Sequence, residues 1–405
     1  SLSWREMFTD PKLQSLIETG LERNTDLNVA RLRVEAAEAV LMTARLSYLP
    51  SLGLTAEGNA NKHDGATAKT YNVGASASWE LDIFGNLTAA KRGAAAALQG
   101  SRAYRQAVQT QLVATIADSY YTLAMLDAQM AISHRTLENW QTTVRTLEAL
   151  KKAGQSNEAG VLQAKANVMQ LESSLLSIRK SISETENALF AILAMPSHSI
   201  ARSNLVEAAF PDTVSIGVPL QLLSNRPDVR QAEMELAQAF YTTNAARAAF
   251  YPHITLSGTL GWTNNGGGII TNPGQWLLNA IGSLTQPLFN RGANIANLKT
   301  AQIRQEEAKL LFQHSLLNAG KEVNDALTAW QTAKSQIEIN ARQVETLCDA
   351  VRKTESLMRH SNTTYLEVLT AQQSLLEAEV QQLQTLFERI QSVIKLYHAL
   401  GGGRF

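Results

Sequence analysis

Apolar and polar residues alternate in two stretches of the chain, as they do in strands with one apolar and one polar face. The first stretch holds a short strand with Leu52, Leu54 and Ala56, followed by a longer one with Tyr71, Val73, Ala75, Ala77, Trp79, Leu81 and Ile83. The second stretch holds Ile254, Leu256, Leu260 and Trp262, followed by Trp276, Leu278, Ala280 and Leu284. Polar or Gly-rich segments, 59–70 and 263–274, separate the strands. Each stretch is therefore predicted to be a hairpin with a long loop.

Long helical segments follow each hairpin. The first is expected from about residue 86 to 152, without a proline, and a partner returns at about 159–193. At ~1.5 Å per residue the first would be roughly 100 Å long. Apolar residues in the returning helices recur at steps of three and four, the heptad pattern. The last helix has a second such series in Val368, Ala371, Leu375 and Ala378, which predicts a neighbour on each side, as in a closed ring of helices.

The chain repeats one pattern twice. Residues 24–52 align with 226–254, so that Asp26 matches Asp228 and Pro50 matches Pro252. We therefore predict a first structural repeat, 1–205, and a second, 206–405. The first would contain a helix at about 11–48, a hairpin at about 51–84 and a helical hairpin at about 86–193. The second would contain a helix at about 219–250, a hairpin at about 253–289 and a helical hairpin at about 291–399.

Four strands with an apolar face cannot close into a membrane barrel, because such barrels start at about eight strands. Open edges in lipid would leave backbone groups unpaired, at a cost of several kcal/mol each. Two chains would give about eight strands and a filled interior, whereas three would give about twelve and a water-filled lumen. The alternative is a soluble pair of hairpins that caps a helical bundle.

Composition narrows the classes of function. The 405 residues include 36 basic and 36 acidic ones, a balance that argues against a nucleic-acid-binding protein. No run reaches the ~18 apolar residues of a transmembrane helix, so contact with a membrane would need strands or a lipid anchor. The first six residues do not resemble a signal peptide. The histidines lack metal-ligand spacing and no catalytic or nucleotide-binding motif is present, so we expect no enzyme, cofactor or metal.

Three strings resemble those of the TolC-type outer-membrane efflux proteins. They are Trp79-Glu80-Leu81-Asp82-Ile83-Phe84-Gly85, Gln286-Pro287-Leu288-Phe289-Asn290-Arg291-Gly292 and Asn225-Arg226-Pro227-Asp228-Val229. The resemblance covers essentially the whole chain and implies an α+β membrane protein. Four β-strands per protomer would contribute to a 12-stranded trimeric β-barrel, and the long helices would form a periplasmic α-barrel.

The resemblance also implies a function and partners. The homotrimer would sit in the lipid bilayer of a Gram-negative outer membrane and dock onto a periplasmic adaptor protein and an inner-membrane pump. It would be a passive conduit for drugs or other small molecules. A type I secretion conduit for proteins and a coiled-coil structural or adaptor protein are the alternatives. Many family members carry an acylated N-terminal cysteine, and because this chain begins at Ser1, a lipid anchor stays open.

Two sets of site residues follow from the resemblance. The adaptor-docking tip would lie at the helix–helix turns, with Ala153, Gly154 and Gln155 in the first copy and His360, Ser361 and Asn362 in the second. The family usually has a Val-Gly pair in both turns, and Ser361 departs from that pattern. Gly154 is also the residue type that ends helices. The periplasmic gate would include Gly160, Glu367 and Thr370, although a helix glutamate in solvent is the simpler interpretation of Glu367.

Overall fold

The computed structural model describes residues 3–63, 66–205, 226–264, 275–287, 290–359 and 364–402. In chain order the elements are α1 (Trp4–Met7), α2 (Pro11–Arg23), α3 (Thr25–Leu46), β1 (Ser51–His63), β2 (Ala66–Leu81), α4 (Asn86–Lys152), α5 (Glu158–Leu193), α6 (Pro227–Ala248), β3 (His253–Thr263), β4 (Gln275–Thr285), α7 (Ala293–Arg359) and α8 (Tyr365–Ala399). Both α4 and α7 run for 67 residues. No described helix is long and apolar enough to cross a membrane.

The helix predicted at about 11–48 is wrong in one respect, because the structure divides it at Asn24. The backbone at Asn24 leaves the helical conformation. Its side-chain oxygen accepts a hydrogen bond from the Leu27 amide at 2.9 Å, and its amide group donates to the Ile192 carbonyl at 2.9 Å. Asn24 therefore begins α3 by satisfying an orphan amide of its first turn.

The described strands form one antiparallel sheet in the order β1-β2-β3-β4. The prediction that residues 59–70 form a loop is wrong, since β1 and β2 pair without interruption from Ser51 opposite Ser78 to His63 opposite Ala66. Asparagines and small residues pair in this ladder through their backbone, which any residue other than proline can do. The β2 strand ends at Leu81, before Ile83. The two hairpins join directly, because β2 also pairs with β3.

Backbone contacts divide the chain into two compact units. One, the helical unit, comprises Ser1–Val29, Gln106–Pro227 and Leu316–Phe405, and the other, the strand unit, comprises Ala30–Arg105 and Asp228–Ser315. The helical unit has a core with Phe8, Ile17, Ile116, Leu193 and Phe387. In the strand unit, Val34 and Leu41 of α3 pack against Leu98 of α4. These divisions cut across the proposed repeats, whose boundaries remain predictions.

The apolar series of α8 and α5 differ in how far they are buried. In α8 both series contain buried residues, with Leu383 and Phe387 in one and Val368 and Ala378 in the other. In α5, by contrast, one seam is buried and includes Val161, Leu171 and Leu175, whereas Leu162, Met169 and Leu176 are exposed. Thus α8 has neighbours on both sides within the described chain, and α5 carries an apolar stripe that the described residues leave exposed.

Candidate functional site

The sheet of the strand unit has one apolar face that crosses all four strands. The pairing places Leu54 beside Ala75, Ala75 beside Leu260 and Leu260 beside Leu278. The residues that make this face apolar include Leu52, Leu54, Ala56 and Gly58 of β1, Tyr71, Val73, Ala75, Ala77, Trp79 and Leu81 of β2, Ile254, Leu256, Gly258, Leu260 and Trp262 of β3, and Trp276, Leu278, Ala280, Gly282 and Leu284 of β4. Leu54 is 89% exposed and Leu278 is 80% exposed, far more apolar surface than a soluble sheet leaves open.

Aromatic residues bound this apolar face at both ends. At one end the Trp262 and Trp276 rings lie 4.9 Å apart, with Tyr71 one row further along the face. At the other end Trp79 donates its indole N–H to the Tyr48 carbonyl at 2.9 Å. From Trp79 to Tyr71 is roughly 26 Å along the strand at ~3.3 Å per residue. Because barrel strands tilt by about 35–45°, this length spans roughly 20 Å of height, close to the apolar band of about 25 Å that lies between the aromatic girdles of a membrane barrel.

The opposite face of the sheet is mainly polar. It carries Glu57 of β1, Asn72 and Glu80 of β2, and Thr255 and Ser257 of β3. The Glu80 carboxylate lies 3.5 Å from the His253 ring. A sheet with one apolar and one polar face can separate lipid from a water-filled lumen.

The tip of the first helical hairpin is built by its turn residues. Gly154 has a φ of 74°, a left-handed conformation that glycine adopts without a steric cost. Its amide donates to the Lys151 carbonyl at 3.0 Å, and the Gln155 amide donates to the Leu150 carbonyl at 2.8 Å. These two bonds form a Schellman motif. Asn157 then begins α5 by accepting from the Gly160 amide at 2.9 Å.

A cavity of about 510 Å³ lies beside this turn. Its lining includes Leu150 and Gly154 from one side, and Met358 and Tyr365 from the other. The Ser156 hydroxyl also lines it and is buried without a hydrogen-bond partner among the described residues. The cavity thus combines apolar side chains with one hydroxyl group that can form a hydrogen bond.

The predicted tip and gate residues have different surroundings. Ala153, Gly154 and Gln155 are exposed at the α4–α5 turn, whereas His360, Ser361 and Asn362 lie outside the described residues. Glu367 and Thr370 are exposed on α8. Gly160 is buried against the Tyr365 ring. The two are so close that a Cβ added to Gly160 would lie 2.9 Å from that ring. Their gate role remains a prediction, and for Gly160 the visible role is close packing of α5 and α8.

Polar clusters that the sequence did not reveal join distant segments of the helical unit. Arg202 pairs with Glu186 of α5 and Asp127 of α4, and the hydrogen bond from Arg202 to Asp127 is the largest cause of the rise in the pKa of Arg202. The Tyr120 hydroxyl donates to Asp10 at 2.6 Å and accepts from the Ser203 amide at 2.9 Å. These partners are 75 and 110 residues apart in sequence, so neither spacing nor periodicity could have found them.

A second cluster holds the end of α8. Arg226 is 2% exposed and donates to the Ala399 carbonyl at 2.9 Å and to Glu322 at 2.7 Å. Gly401, with a φ of 89°, packs directly on the Arg226 backbone. Among the described residues no group of three or more His, Cys, Asp or Glu could hold a metal ion.

Comparison with known proteins decides the family. The family model described as "Outer membrane efflux protein" matches residues 16–195 and again 218–402. The chain belongs to this family. The cation efflux system protein CusC of Escherichia coli O6:H1 is 31% identical over 407 residues, which are 99% of this chain and 88% of CusC. The pyoverdine export outer membrane protein OpmQ of Pseudomonas putida is 31% identical over 417 residues, 99% of this chain and 88% of OpmQ.

A solved structure of CusC superposes on this outer membrane efflux protein with a TM-score of 0.93 and 30% identity, covering 100% of this chain and 95% of CusC. The predicted fold class is therefore confirmed: an α+β membrane protein with four strands per protomer in a trimeric barrel and long helices in a periplasmic α-barrel. The predicted function as an efflux channel and the outer-membrane location with a large periplasmic part are confirmed as well.

Proposed function

We propose that three copies of this chain form a passive conduit through which a pump drives solutes across the outer membrane. The observation that carries this proposal is the continuous apolar face of the sheet, exposed in a single chain and bounded by aromatic rings, with a polar face behind it. One chain cannot close such a sheet, so further copies must complete the barrel. The chain performs no catalysis in this account; it supplies a path.

Electrical recording tests the conduit. The purified protein, added to a planar lipid bilayer without a pump, should produce discrete ion-conducting steps that persist without any energy source. A protein that inserts into the bilayer but conducts no ions under any applied voltage would contradict the proposal.

The exposed stripe on α5 supports the homotrimer. Leu162, Met169 and Leu176 recur every seven residues, and Met169 is 65% exposed. A heptad stripe packs against another helix. On α7, Leu317 and Ile339 are also exposed. We propose that α5 of one copy meets α7 of the next copy, which would close the ring of helices.

The cavity at the α4–α5 turn supports docking of a periplasmic adaptor, which would connect the channel to an inner-membrane pump. A helical tip from the adaptor could place an apolar side chain against Leu150 and Met358 and a polar group at Ser156. A photo-crosslinking residue in place of Gln155 should capture the adaptor in cells, whereas the same residue in place of Gln170, exposed on α5, should not. Capture at both positions, or at neither, would contradict docking at this tip.

We also propose that Glu367 and Thr370, with the Gly160–Tyr365 contact beside them, constrict the periplasmic end. Three Glu367 carboxylates around one axis would favour the passage of cations over anions. In planar bilayers the Glu367→Ala variant should then be less cation-selective. Unchanged selectivity would assign Glu367 to the solvent-exposed surface of α8.

The exported solutes are proposed from the relatives. CusC is named for cation efflux and OpmQ for pyoverdine export, so relatives of equal identity serve different small molecules. We propose small-molecule export with a range set by the pump. Strains that lack the gene should become more sensitive to several classes of toxic solute, including metal cations. A strain with unchanged sensitivity to every class, in which only protein secretion fails, would contradict this range.

A further inference from the structure

The two lysines of the sheet lie together at one end of its apolar face. Segments 51–81 and 253–285 contain two lysines, Lys62 and Lys69, and no arginine. Lys69 lies opposite Ala60, and Lys62 lies opposite Thr67 on the adjoining strand. The period of two puts both lysines on the same face as Leu54 and Val73. The carboxylates of Glu57 and Glu80 are on the other face.

The strand register places both lysines just beyond the apolar band. Lys69 is two residues past Tyr71 and four past Val73, so it lies roughly 7 Å along the strand from the Tyr71 row. The headgroup layers add about 5–8 Å to each side of the hydrocarbon core. Both lysines are exposed, and neither forms an ion pair with a residue that the structure describes. The Lys69 ammonium group is therefore at the depth of lipid headgroups. Lys62, level with Thr67 and roughly 13 Å along the tilted strand from the Tyr71 row, lies just beyond that layer, and its long side chain can reach back to it.

The backbone at Lys69 is held in place by a side chain of the neighbouring strand. Asn264 follows the last residue of β3, and its amide group donates to the Lys69 carbonyl at 3.0 Å. Its side-chain oxygen accepts from the Tyr71 amide at 2.6 Å. The Asn264 side chain thus continues the β2–β3 ladder for one further step. This contact fixes the positions of Lys69 and Tyr71 relative to the sheet.

The connections of the hairpin identify the membrane leaflet. Within the strand unit, α3 ends at Leu46 just before β1, and α4 begins at Asn86 just after β2. The helices thus leave the hairpin at the end opposite to Lys62 and Lys69. Because the helical part is periplasmic in this family, the lysine end faces the outer leaflet.

From this placement, we propose that Lys62 and Lys69 bind the phosphate groups of phosphorylated lipids in the outer leaflet, at one site per protomer. The ammonium groups would form ion pairs with a lipid phosphate, and the acyl chains of the lipid would pack against Tyr71 and the apolar face of the sheet. The inference rests on the membrane location of the sheet and adds a preference among lipids. It assigns to the hairpin end a function separate from the conduit.

The test measures lipids retained by the purified trimer. Native mass spectrometry in detergent would compare lipid A with lipid A from which the phosphates have been removed. We expect a preference for the phosphorylated lipid on the order of tenfold, from two lysines near an anionic group. The K62Q/K69Q double variant should lose this preference, and K62R/K69R should keep it. A matched control, K299Q/K309Q, removes two exposed lysines of α7 and should leave the preference unchanged.

Two results would overturn the inference. One is an equal retention of both lipids by the unaltered protein, and the other is a preference that K62Q/K69Q keeps in full. Either result leaves the conduit intact, since both lipids would still bind to an apolar sheet. If the protein retains no lipid and stays soluble without detergent, the membrane location itself fails.

Discussion

Tyr120 shows how one hydroxyl group can join three segments of the helical unit. It lies on α4, donates to Asp10 before α2 and accepts from Ser203 after α5. Burial is the largest cause of the rise in the pKa of Tyr120 to about 12, and the hydrogen bond to Asp10 adds to it. For Asp10, burial opposes the charged form, but hydrogen bonds from Tyr120 and the Lys12 amide outweigh it and lower the pKa of Asp10.

The Tyr120→Phe variant should lower the free energy of unfolding by about 1–2 kcal/mol, because Asp10 and the Ser203 amide each lose a partner. Since the folded-state pKa of Tyr120 is raised, its contribution is present below its ordinary pKa of about 10 and is lost as the pH rises through about 12. Chemical unfolding in detergent across this alkaline range should therefore show a weaker pH dependence in the variant. Tyr104→Phe, outside this cluster, is the control; an identical alkaline dependence in Tyr120→Phe would refute the assignment.

The same cluster should also lose stability at low pH. Because the folded-state pKa of Asp10 is lowered, its contribution is present above the ordinary aspartate pKa of about 3.9 and is lost as the pH falls toward the folded value. Asp10→Asn should remove this part of the acid sensitivity. Unfolding curves recorded between pH 5 and pH 2, at intervals of roughly one pH unit, would measure how the free energy of unfolding depends on pH. An unchanged acid transition in Asp10→Asn would mean that Asp10 is ionised equally easily in the unfolded chain.

Arg226 is the buried charge at the end of α8. Arg226→Ala removes the donors to Ala399 and Glu322 and should destabilise the helical unit by about 1.5–3 kcal/mol, the range for hydrogen bonds to charged groups. We expect limited proteolysis to cut the end of α8 faster. Arg230 is an exposed arginine four residues later. In the Arg230→Ala variant the protease should cut the end of α8 at the same rate as in the unaltered protein. Equal rates in both variants would show that the Arg226 cluster does not hold this end.

At the scale of elements, the sequence predicted the long helices well and the connections poorly. The absence of proline and the heptad series placed α4 and α5 close to their observed bounds, because both signals are local. The predicted loop at 59–70 is wrong, because a polar segment can still pair through its backbone. In the sequence, Asp64-Gly65 is a pair that two-residue hairpins favour, a signal that the loop prediction did not use. The break at Asn24 and the pairing of β2 with β3 depend on residues distant in sequence, which periodicity does not report.

The contact between Gly160 and Tyr365 gives a prediction for the two helices at the tip. A side chain at Gly160 would meet the Tyr365 ring at 2.9 Å, so Gly160→Val should push α5 and α8 apart. We expect a larger single-channel conductance in planar bilayers, because this contact lies beside the proposed constriction. Ala159→Val, exposed and one residue earlier, should behave like the unaltered protein. A Gly160→Val variant that folds and conducts as before would exclude a role of this contact in the constriction.

At the scale of the whole molecule, the unfinished surfaces of one chain point to its assembly. The sheet exposes an apolar face and two edge strands, and α5 exposes its stripe. A strand edge and an apolar stripe are both aggregation hazards unless another chain or lipid covers them. The sequence could predict these surfaces because each follows a fixed period. It could not predict which helices meet across the boundary between copies, since that depends on the packing of the whole helical unit.

Replacing the α5 stripe should weaken the assembly. The Met169→Glu/Leu176→Glu double variant places charges where the proposed neighbour buries apolar surface, so the trimer should dissociate at higher protein concentration than the unaltered protein. Gln170→Glu adds a charge at an exposed position outside the stripe and is the matched control. Sedimentation in detergent would measure the equilibrium. Equal trimer stability in the double variant and the control would place the boundary elsewhere on the helices.

The mass of the protein extracted from membranes tests the central claim most directly. Each chain of this sequence has a mass of 44.2 kDa. The account predicts that the protein leaves the outer membrane only with detergent and that native mass spectrometry then finds three chains in one particle. A 44.2 kDa monomer that is soluble without detergent would contradict it.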